Sequence, residues 1–449
     1  MIILGISALY HDSAAAIVKD GEILAAAQEE RFTRIKADYR LPVNAIKYCM
    51  TEAQAHTDDI NAIVYYDNPL LTLNRFMDNL QMIYPDTKDM LNLSLESLLV
   101  NKLWLHNDLK RIMGGIAFGK EDKLFAVKHH VSHAASAFYP SPFKDAAILT
   151  VDGVGEYTTT AIGIGEDNKI SLLKEIIYPD SIGLLYSAFT YFCGFKVNFG
   201  DYKLMGLAPY GEPKYVNLIK DKLIDIKEDG SYKLNLDYFD YHYGRPMTNE
   251  KFAKLFNGER RLPESEITRR EMDMAASVQK VIEEVVIKLA RETKKVTQKE
   301  NLVMAGGVAL NCVANGLLLR ENIFKNIWIQ PAAGDAGGAL GAALYYYYNK
   351  SGEKREVDGT TDKQKGSYLG PKYSEREIKK FLDENNYPYK VYNTSEIYEK
   401  IAEFIDKGKV IGLFEGRMEF GPRALGARSI IGDARSKEMQ SKLNLVTAK

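Results

Sequence analysis

Three of the seven histidines in this 449-residue chain fall in one short run, His129-His130-Val131-Ser132-His133. If Ala134 to Phe138 continue a helix, His129 and His133 are four positions apart and share a face. Two neutral imidazoles at that spacing can hold one metal ion. The zinc-protease motif needs Glu directly after the first histidine, and His130 stands there instead. The pair alone also fits a solvated or capping cluster. A metal would need a third ligand from elsewhere, and Asp335 in AAGDAGG is the best-placed carboxylate.

Glycine-rich turns form the second set: Gly153 and Gly155 in VDGVGE, Gly306 and Gly307 in MAGGVALN, and Gly334, Gly337 and Gly338 in GDAGGALG. Glycine lets the backbone approach a ligand and aim successive amides at a phosphate, and a following helix N-terminus adds a favourable dipole. Each turn alone suits tight packing equally well, but three at strand–helix junctions favour a nucleotide. No GxxxxGK[ST] run is present, which excludes a P-loop enzyme. A third set, Arg417, Arg423, Arg428 and Arg435, lies in one Gly/Pro-containing segment. Guanidinium forks suit phosphate and carboxylate oxygens, although ion pairs with Glu415 and Glu419 would also satisfy them. His11-Asp12-Ser13 could supply a base oriented by a carboxylate, but adjacent side chains rarely converge into a triad. Asp201 and Lys203 sit in NFGDYKLMGLAPYG, where chemistry alone assigns them no role.

The elements that would carry these residues repeat. IILGIS reads as a buried strand, followed by the polar turn ALYHDS and a hairpin of AAAIVKD and EILAAAQEE joined at Asp20-Gly21. The same order returns as AAILTVDG, GVGEY, then TTTAIGIG and ISLLKEI joined through residues 166–169. Each repeat ends its first strand in an acidic loop, where α/β sheets place ligands. Two copies predict a duplicated α/β fold with lobes facing across a cleft. Residues 268–294 have helical apolar spacing, and 301–318 and 327–348 each read as strand, small-residue turn and helix. Residues 70–120, rich in Leu, Asn and Asp with little pattern, are expected as a loop shaping a substrate pocket. The polar segment 349–367 reads as a linker. Beyond it come two helices and a strand, KVIGLFEG, entering the arginine segment.

Composition sets outer limits. With 46% hydrophobic and 27% charged residues, the chain cannot be disordered throughout. Lys and Arg number 59 against 60 Asp and Glu, which excludes a globally basic nucleic-acid coat and makes nucleic acid an unexpected partner. Residues 1–20 lack a basic n-region and no 18-residue apolar run occurs, predicting neither signal peptide nor membrane partner. Three cysteines, odd in number and far apart, predict reduced thiols and a cytoplasmic location.

The segments ILGISALYHDSAAAIVKDGEI, VKHHVSHAASAFYPSPF, TVDGVGE, KLMGLAPYG, MAGGVALNCVANG, PAAGDAGGALGAAL and GRMEFGPRALGARSI, in this order, resemble the O-carbamoyltransferase family of nodulation-factor and antibiotic biosynthesis. The resemblance implies a duplicated ribonuclease-H-like, actin-like ATPase superfold over 1–348, with lobes of about 1–145 and 146–348. A linker at 349–367 and a partial threonylcarbamoyl-adenylate-synthase-like α/β domain over 368–449 would follow. It implies that carbamoyl phosphate and ATP form carbamoyl-adenylate, whose carbamoyl group passes to the hydroxyl of a sugar or natural product. By position, His129, His133 and Asp335 would bind a divalent ion, iron first and magnesium as the alternative. His11, with Asp12, would act on the acceptor hydroxyl. Asp152, Gly153, Gly155, Glu156, Gly306, Gly307, Asn311, Gly334 and Gly337 would hold ATP. Asp201 and Lys203 would contact substrate, and Arg417, Arg423 and Arg428 would contact carbamoyl phosphate or ATP phosphates. Family members continue past RSII, so the chain is expected to be truncated at its C-terminus, with the adenylate-forming step in question. The alternatives are an ATP- and metal-binding module without turnover, tRNA threonylcarbamoyl transfer, and a sugar kinase.

Overall fold

In the computed structural model, which describes residues 1–95, 102–113 and 123–447, the chain divides into two compact units, Met1–Gln364 and Lys365–Lys449.

The first unit contains two five-stranded sheets of the same design. β1 (Ile2–Ser7), β2 (Ala14–Lys19), β3 (Glu22–Gln28), β4 (Ile60–Tyr65) and β5 (Leu124–Ala126) run in the order β3-β2-β1-β4-β5. β6 (Asp145–Val151), β7 (Thr158–Glu166) and β8 (Lys169–Ile177) form a second sheet with two later strands. After a small hairpin of β9 (Ile224–Ile226) and β10 (Tyr232–Leu234) come β11 (Asn301–Ala305) and β12 (Asn326–Ile329), giving β8-β7-β6-β11-β12. In each sheet the first strand pairs antiparallel with a hairpin and parallel with a later strand. This duplicated topology is the ribonuclease-H-like, actin-like arrangement. β1 and β6 are buried on both faces, as central strands with parallel neighbours require. The Asp20-Gly21 turn takes φ of 50° and 83°, a two-residue turn that matches strand twist.

Two helices pack against each other between the sheets. The histidine helix, His129–Phe138, follows β5 of the first sheet yet packs on strands of the second. The aspartate helix, Asp335–Ser351, follows β12 of the second sheet and packs on β1, β2 and β4 of the first. A division at residue 145 therefore does not separate two self-contained lobes, because each half lends a helix to the other. Small residues permit this exchange. A Cβ on Gly5 would overlap the Ala339 carbonyl, and one on Gly341 would overlap the Ser132 carbonyl.

The long helix Arg269–Thr297 matches the expected start and runs three residues past the expected end at 294. The Glu271 carboxylate accepts the Thr268 N–H at 2.9 Å to open it. Its apolar face closes a core containing Phe189, Phe192, Phe252 and Phe256. The stretch expected as a loop is instead helical over Pro69–Ile83, Lys88–Ser94 and Leu105–Ile112, while its residues 96–101 and 114–122 lie outside the described residues. The first of these helices has Asn68 as cap, accepting the Leu70 N–H at 3.1 Å, and Pro69 at its start. Cys49 and Cys193 are buried free thiols and Cys312 is an exposed one. Among the described residues no helix is long and apolar enough to cross a membrane.

Residues 349–364 differ from the expected linker, being packed on the first unit. Arg355 is buried against the Phe138 ring at 3.9 Å, and the Gln364 and Gln330 side chains exchange hydrogen bonds at 2.9 Å. Polar composition suggested a free segment, but Arg355 Nη1 donates to the Phe138 carbonyl at 2.5 Å and Gln364 pairs with Gln330 inside the unit. The second unit has helices Glu375–Glu384 and Thr394–Asp406 and an antiparallel pair, β13 (Ile411–Phe414) with β14 (Arg428–Ile431). Neither helix buries a residue, and Phe381, Ile397, Tyr398 and Phe404 are exposed.

Candidate metal centre

His129 and His133 lie on one face of their helix, with Nε2 atoms 3.0 Å apart. The end of β6 brings Asp152 to them, its Oδ2 2.9 Å from His129 Nε2 and 3.5 Å from His133 Nε2. Asp335, first residue of the aspartate helix, places Oδ1 3.7 and 3.8 Å from the same nitrogens. The four ligand atoms lie within 4.8 Å of one another, and all four residues are buried. The other oxygen of each carboxylate is held by the protein. Gly307 N–H donates to Asp152 Oδ1 at 2.8 Å, and the Tyr66 hydroxyl donates to Asp335 Oδ2 at 3.1 Å. Two imidazole nitrogens and two carboxylate oxygens thus converge from protein-oriented groups, a donor set that fits a divalent ion.

Glu156 sets the start of the histidine helix. Its carboxylate accepts the His129 N–H at 2.9 and 3.1 Å and the Asn68 N–H at 2.7 Å. It therefore satisfies a helix-terminal donor and complements the dipole. Glu156→Ala leaves both donors without an acceptor. Its expected effect is a metal affinity lower by ~10–100-fold, as for supporting residues at metal sites. Calorimetric titration with Mn²⁺ checks this, and Glu156→Gln, which keeps an acceptor, should restore part of the loss.

Electrostatics follow from burial among carboxylates. Burial pulls His129 down, but the Asp152 hydrogen bond and the charges of Asp335, Asp152 and Glu156 outweigh it and hold His129 up to about 9. His11 is also pulled down by burial and carried up to about 10 by Asp335 and Asp12. Burial raises Asp152, yet hydrogen bonds from His129 and His133 hold it well below the usual carboxylate range. His130 faces Thr150 at 2.8 Å, and burial drives it well below the ordinary histidine value.

The structure brings His129, His133 and Asp335 together as expected from the sequence. Asp152, expected at the nucleotide, lies with His129, His133 and Asp335 in this candidate site. Asp12 lies 3.0 Å from His11 Nδ1, and His11 Nε2 is 3.7 Å from Asp335 Oδ2, so this loop borders the cluster. Leu9 and Asp12 take φ of 69° and 51°, costing ~1–3 kcal/mol each, which the surrounding structure must enforce. Asp201 accepts the Thr190 hydroxyl at 2.6 Å, and burial raises its pKa; Lys203 is exposed.

Among the glycines, Gly155 abuts the His129 ring, while Gly306, at φ 94°, crosses the Val151 backbone. Gly334 precedes the aspartate helix, Gly337 packs on the Ala332 carbonyl, and a side chain at Gly153 would meet open space. Asn311 caps the helix Cys312–Arg320 and exchanges hydrogen bonds with Gln279 at 3.0 and 3.1 Å. Sequence reasoning missed the anchoring by Glu156 and the Tyr66 hydroxyl, and only the strand-end position of Asp152 hinted at its place.

In the second unit, Arg428 stacks on Phe414 at 3.5 Å and donates to the Glu415 and Ala427 carbonyls at 2.9 Å. Arg417 is half-buried and donates to the Gly370 carbonyl at 3.3 Å; Arg423 is exposed. Buried Glu419 accepts the Leu425 and Ala427 N–H groups at 2.8 Å, shaping the loop.

A family model described as the carbamoyltransferase N-terminus matches residues 2–344, and one described as the carbamoyltransferase C-terminus matches 402–448. The chain is 52% identical to an uncharacterized protein of Synechocystis, over 99% of this chain and 73% of that one. It is 34% identical to nodulation protein NolNO of Sinorhizobium fredii, over 98% of this chain and 61% of the relative. With the 3'-hydroxymethylcephem-O-carbamoyltransferase of Streptomyces clavuligerus it shares 26% identity over 73% of this chain and 58% of that enzyme. The chain thus spans less than two thirds of the length of the last two relatives.

Proposed function

The chain belongs to the carbamoyltransferase family, and from that premise we propose that it transfers a carbamoyl group from carbamoyl phosphate, through carbamoyl-adenylate made with ATP, to a hydroxyl of a small molecule. The observation that carries the reading is the convergence of His129, His133, Asp152 and Asp335 where both sheets' central helices begin. A divalent ion held there, with iron as the first candidate, would supply positive charge to a phosphate or carbamoyl oxygen and offset the carboxylates that hold His11 protonated. The chain's own groups do the rest. Asp12 orients His11 through Nδ1, leaving Nε2 to hold or accept the proton of the acceptor hydroxyl. The turns at Gly153 and Gly307 supply close backbone approach for ATP. The histidine helix, anchored by Glu156, keeps the imidazoles in one geometry.

The test incubates the chain with Fe²⁺ or Mn²⁺, ATP, labelled carbamoyl phosphate and a panel of sugars and hydroxylated natural products. Acceptor-dependent release of phosphate, pyrophosphate and AMP, with label in the acceptor, is the expected result. No label in any acceptor, with no pyrophosphate released, would overturn it. A second reading, an ATP- and metal-binding module without turnover, draws support from the second unit, where Arg428 is committed to backbone carbonyls and the two helices bury nothing. ATP binding without pyrophosphate release would favour it.

A further inference from the structure

Gln330 stands between the two helices that carry the histidines and Asp335. It follows β12 and is fully buried. Its side-chain amide reaches both helices at once. Nε2 donates to the Ser136 carbonyl in the histidine helix, in the turn after His133. Oε1 accepts the Ala332 N–H at 3.0 Å, in the turn that leads to Asp335. Ser136 is tied back to the ligand itself, because its hydroxyl donates to the His133 carbonyl at 2.8 Å. The Asp335 turn is equally constrained: Gly337 N–H donates to the Gly334 carbonyl at 3.0 Å, and the Ala332 carbonyl fills the space a Cβ would need at Gly337. One other side chain takes what remains of the amide. Gln364, also fully buried, donates to Gln330 Oε1 and accepts from Nε2, both at 2.9 Å. Its segment is pinned alongside, with Lys363 N–H on the Pro140 carbonyl at 2.8 Å and Gly359 N–H on the Pro142 carbonyl at 3.1 Å.

Both hydrogens and both lone pairs of the Gln330 amide are therefore engaged. The backbone partners fix its orientation, since the Ser136 carbonyl needs a donor and the Ala332 N–H needs an acceptor. Moving this amide would strand a carbonyl, an N–H and a second amide away from water, so its place is rigidly set. We infer that Gln330 is a positioning residue of the metal centre, fixing the spacing between the helix of His129 and His133 and the turn of Asp335, with Gln364 locking its amide. This role rests on the reading of those side chains as metal ligands. Glu156 sets the start of one ligand-bearing helix, whereas Gln330 ties the histidine helix to the Asp335 turn, elements that come from opposite halves of the first unit.

The test titrates the full chain with Co²⁺, following both heat and the visible absorption of the bound ion, which reports its ligand geometry. Gln330→Met keeps the length of the side chain and removes both hydrogen-bonding ends. It is expected to weaken Co²⁺ binding about tenfold or more, as loss of groups that orient metal ligands does, and to alter the absorption at saturating Co²⁺. The variant should also melt lower, because its buried partners lose their bonds. Phe256→Leu, a lesion in the phenylalanine core, is the control: it should melt lower yet bind Co²⁺ as wild type does. Wild-type affinity and absorption in Gln330→Met would overturn the inference, leaving the Gln330–Gln364 pair a stability element alone. So would a loss of affinity that Phe256→Leu shares. If Gln330→Met does not fold, Gln364→Met carries the test, because it frees the Gln330 amide without deleting it. A several-fold loss of affinity with altered absorption then supports the role, and wild-type values overturn it. Wild-type protein that binds no Co²⁺ refutes the metal centre and this role together. Carbamoyl transfer is not the readout, so Gln330-dependent Co²⁺ binding without transfer would refute only the proposed reaction.

Discussion

His133→Ala is expected to abolish tight binding of a divalent ion while the fold persists. Wild-type protein loaded with Fe²⁺ or Mn²⁺ should retain the ion through gel filtration and melt at a higher temperature than the chelated form, since an ion bound only by the folded state stabilises it by mass action. The variant should lose both properties. The reason is geometric: His133 Nε2 is 3.0 Å from its partner imidazole and 3.5 and 3.8 Å from the two carboxylates, so its removal opens one side of a four-ligand set. The fall should exceed the ~10–100-fold predicted for supporting residues such as Glu156. His130→Gln is the control on the same helix, because His130 turns to Thr150 and not to the cluster. Equal metal retention by wild-type and His133→Ala protein would remove the metal centre from the account.

Gly341→Val should be the most damaging single change to the first unit. Its side chain would drive into the Ser132 carbonyl, where the aspartate helix meets the histidine helix. Forcing buried backbones apart costs ~3 kcal/mol or more. With ~2.1 cal/mol/K of unfolding entropy per residue over the unit Met1–Gln364, each kcal/mol shifts the midpoint by ~1.3 °C, so the melting temperature should fall by ~4 °C or more. Metal affinity should fall with it, because Ser132 lies between the two ligating histidines and Asp335 lies on the other helix. Gly206→Ala is the contrast: it meets nothing within 4 Å on its helix and should be neutral or stabilising by ~0.5–1 kcal/mol. Thermal melts of the three proteins decide this, and a Gly341→Val melt within ~1 °C (about one kcal/mol) of wild type would contradict the packing argument.

Much of the first unit was legible because its signals are local. The Asp20-Gly21 turn, the alternation of strand and hairpin, and the helical period of Arg269–Thr297 each reside in a few consecutive residues. The His129/His133 pair was legible for the same reason, since four residues of helix determine which side chains share a face. The helix Pro69–Ile83 was not recognised, although Asn68-Pro69 is a start signal and Leu73, Phe76, Met77, Leu80 and Ile83 recur at helical spacing, because the Asn and Asp residues among them read as loop composition. The polar segment 349–364 was misjudged because composition cannot show that Arg355 will lie over Phe138 and that Gln364 will find Gln330.

By itself, then, the sequence determined a duplicated α/β chain carrying a histidine pair, with strand-end carboxylates and glycine turns able to serve it. Only the tertiary structure decided that Asp152 joins the two histidines and Asp335, that Glu156 anchors the histidine helix, and that each half of the first unit contributes the helix that packs on the other's sheet. Those outcomes depend on close approach between residues far apart in the chain, such as Gly341 against Ser132 and Gly5 against Ala339. Periodicity reports which face of an element is buried, but not which distant backbone will press against it.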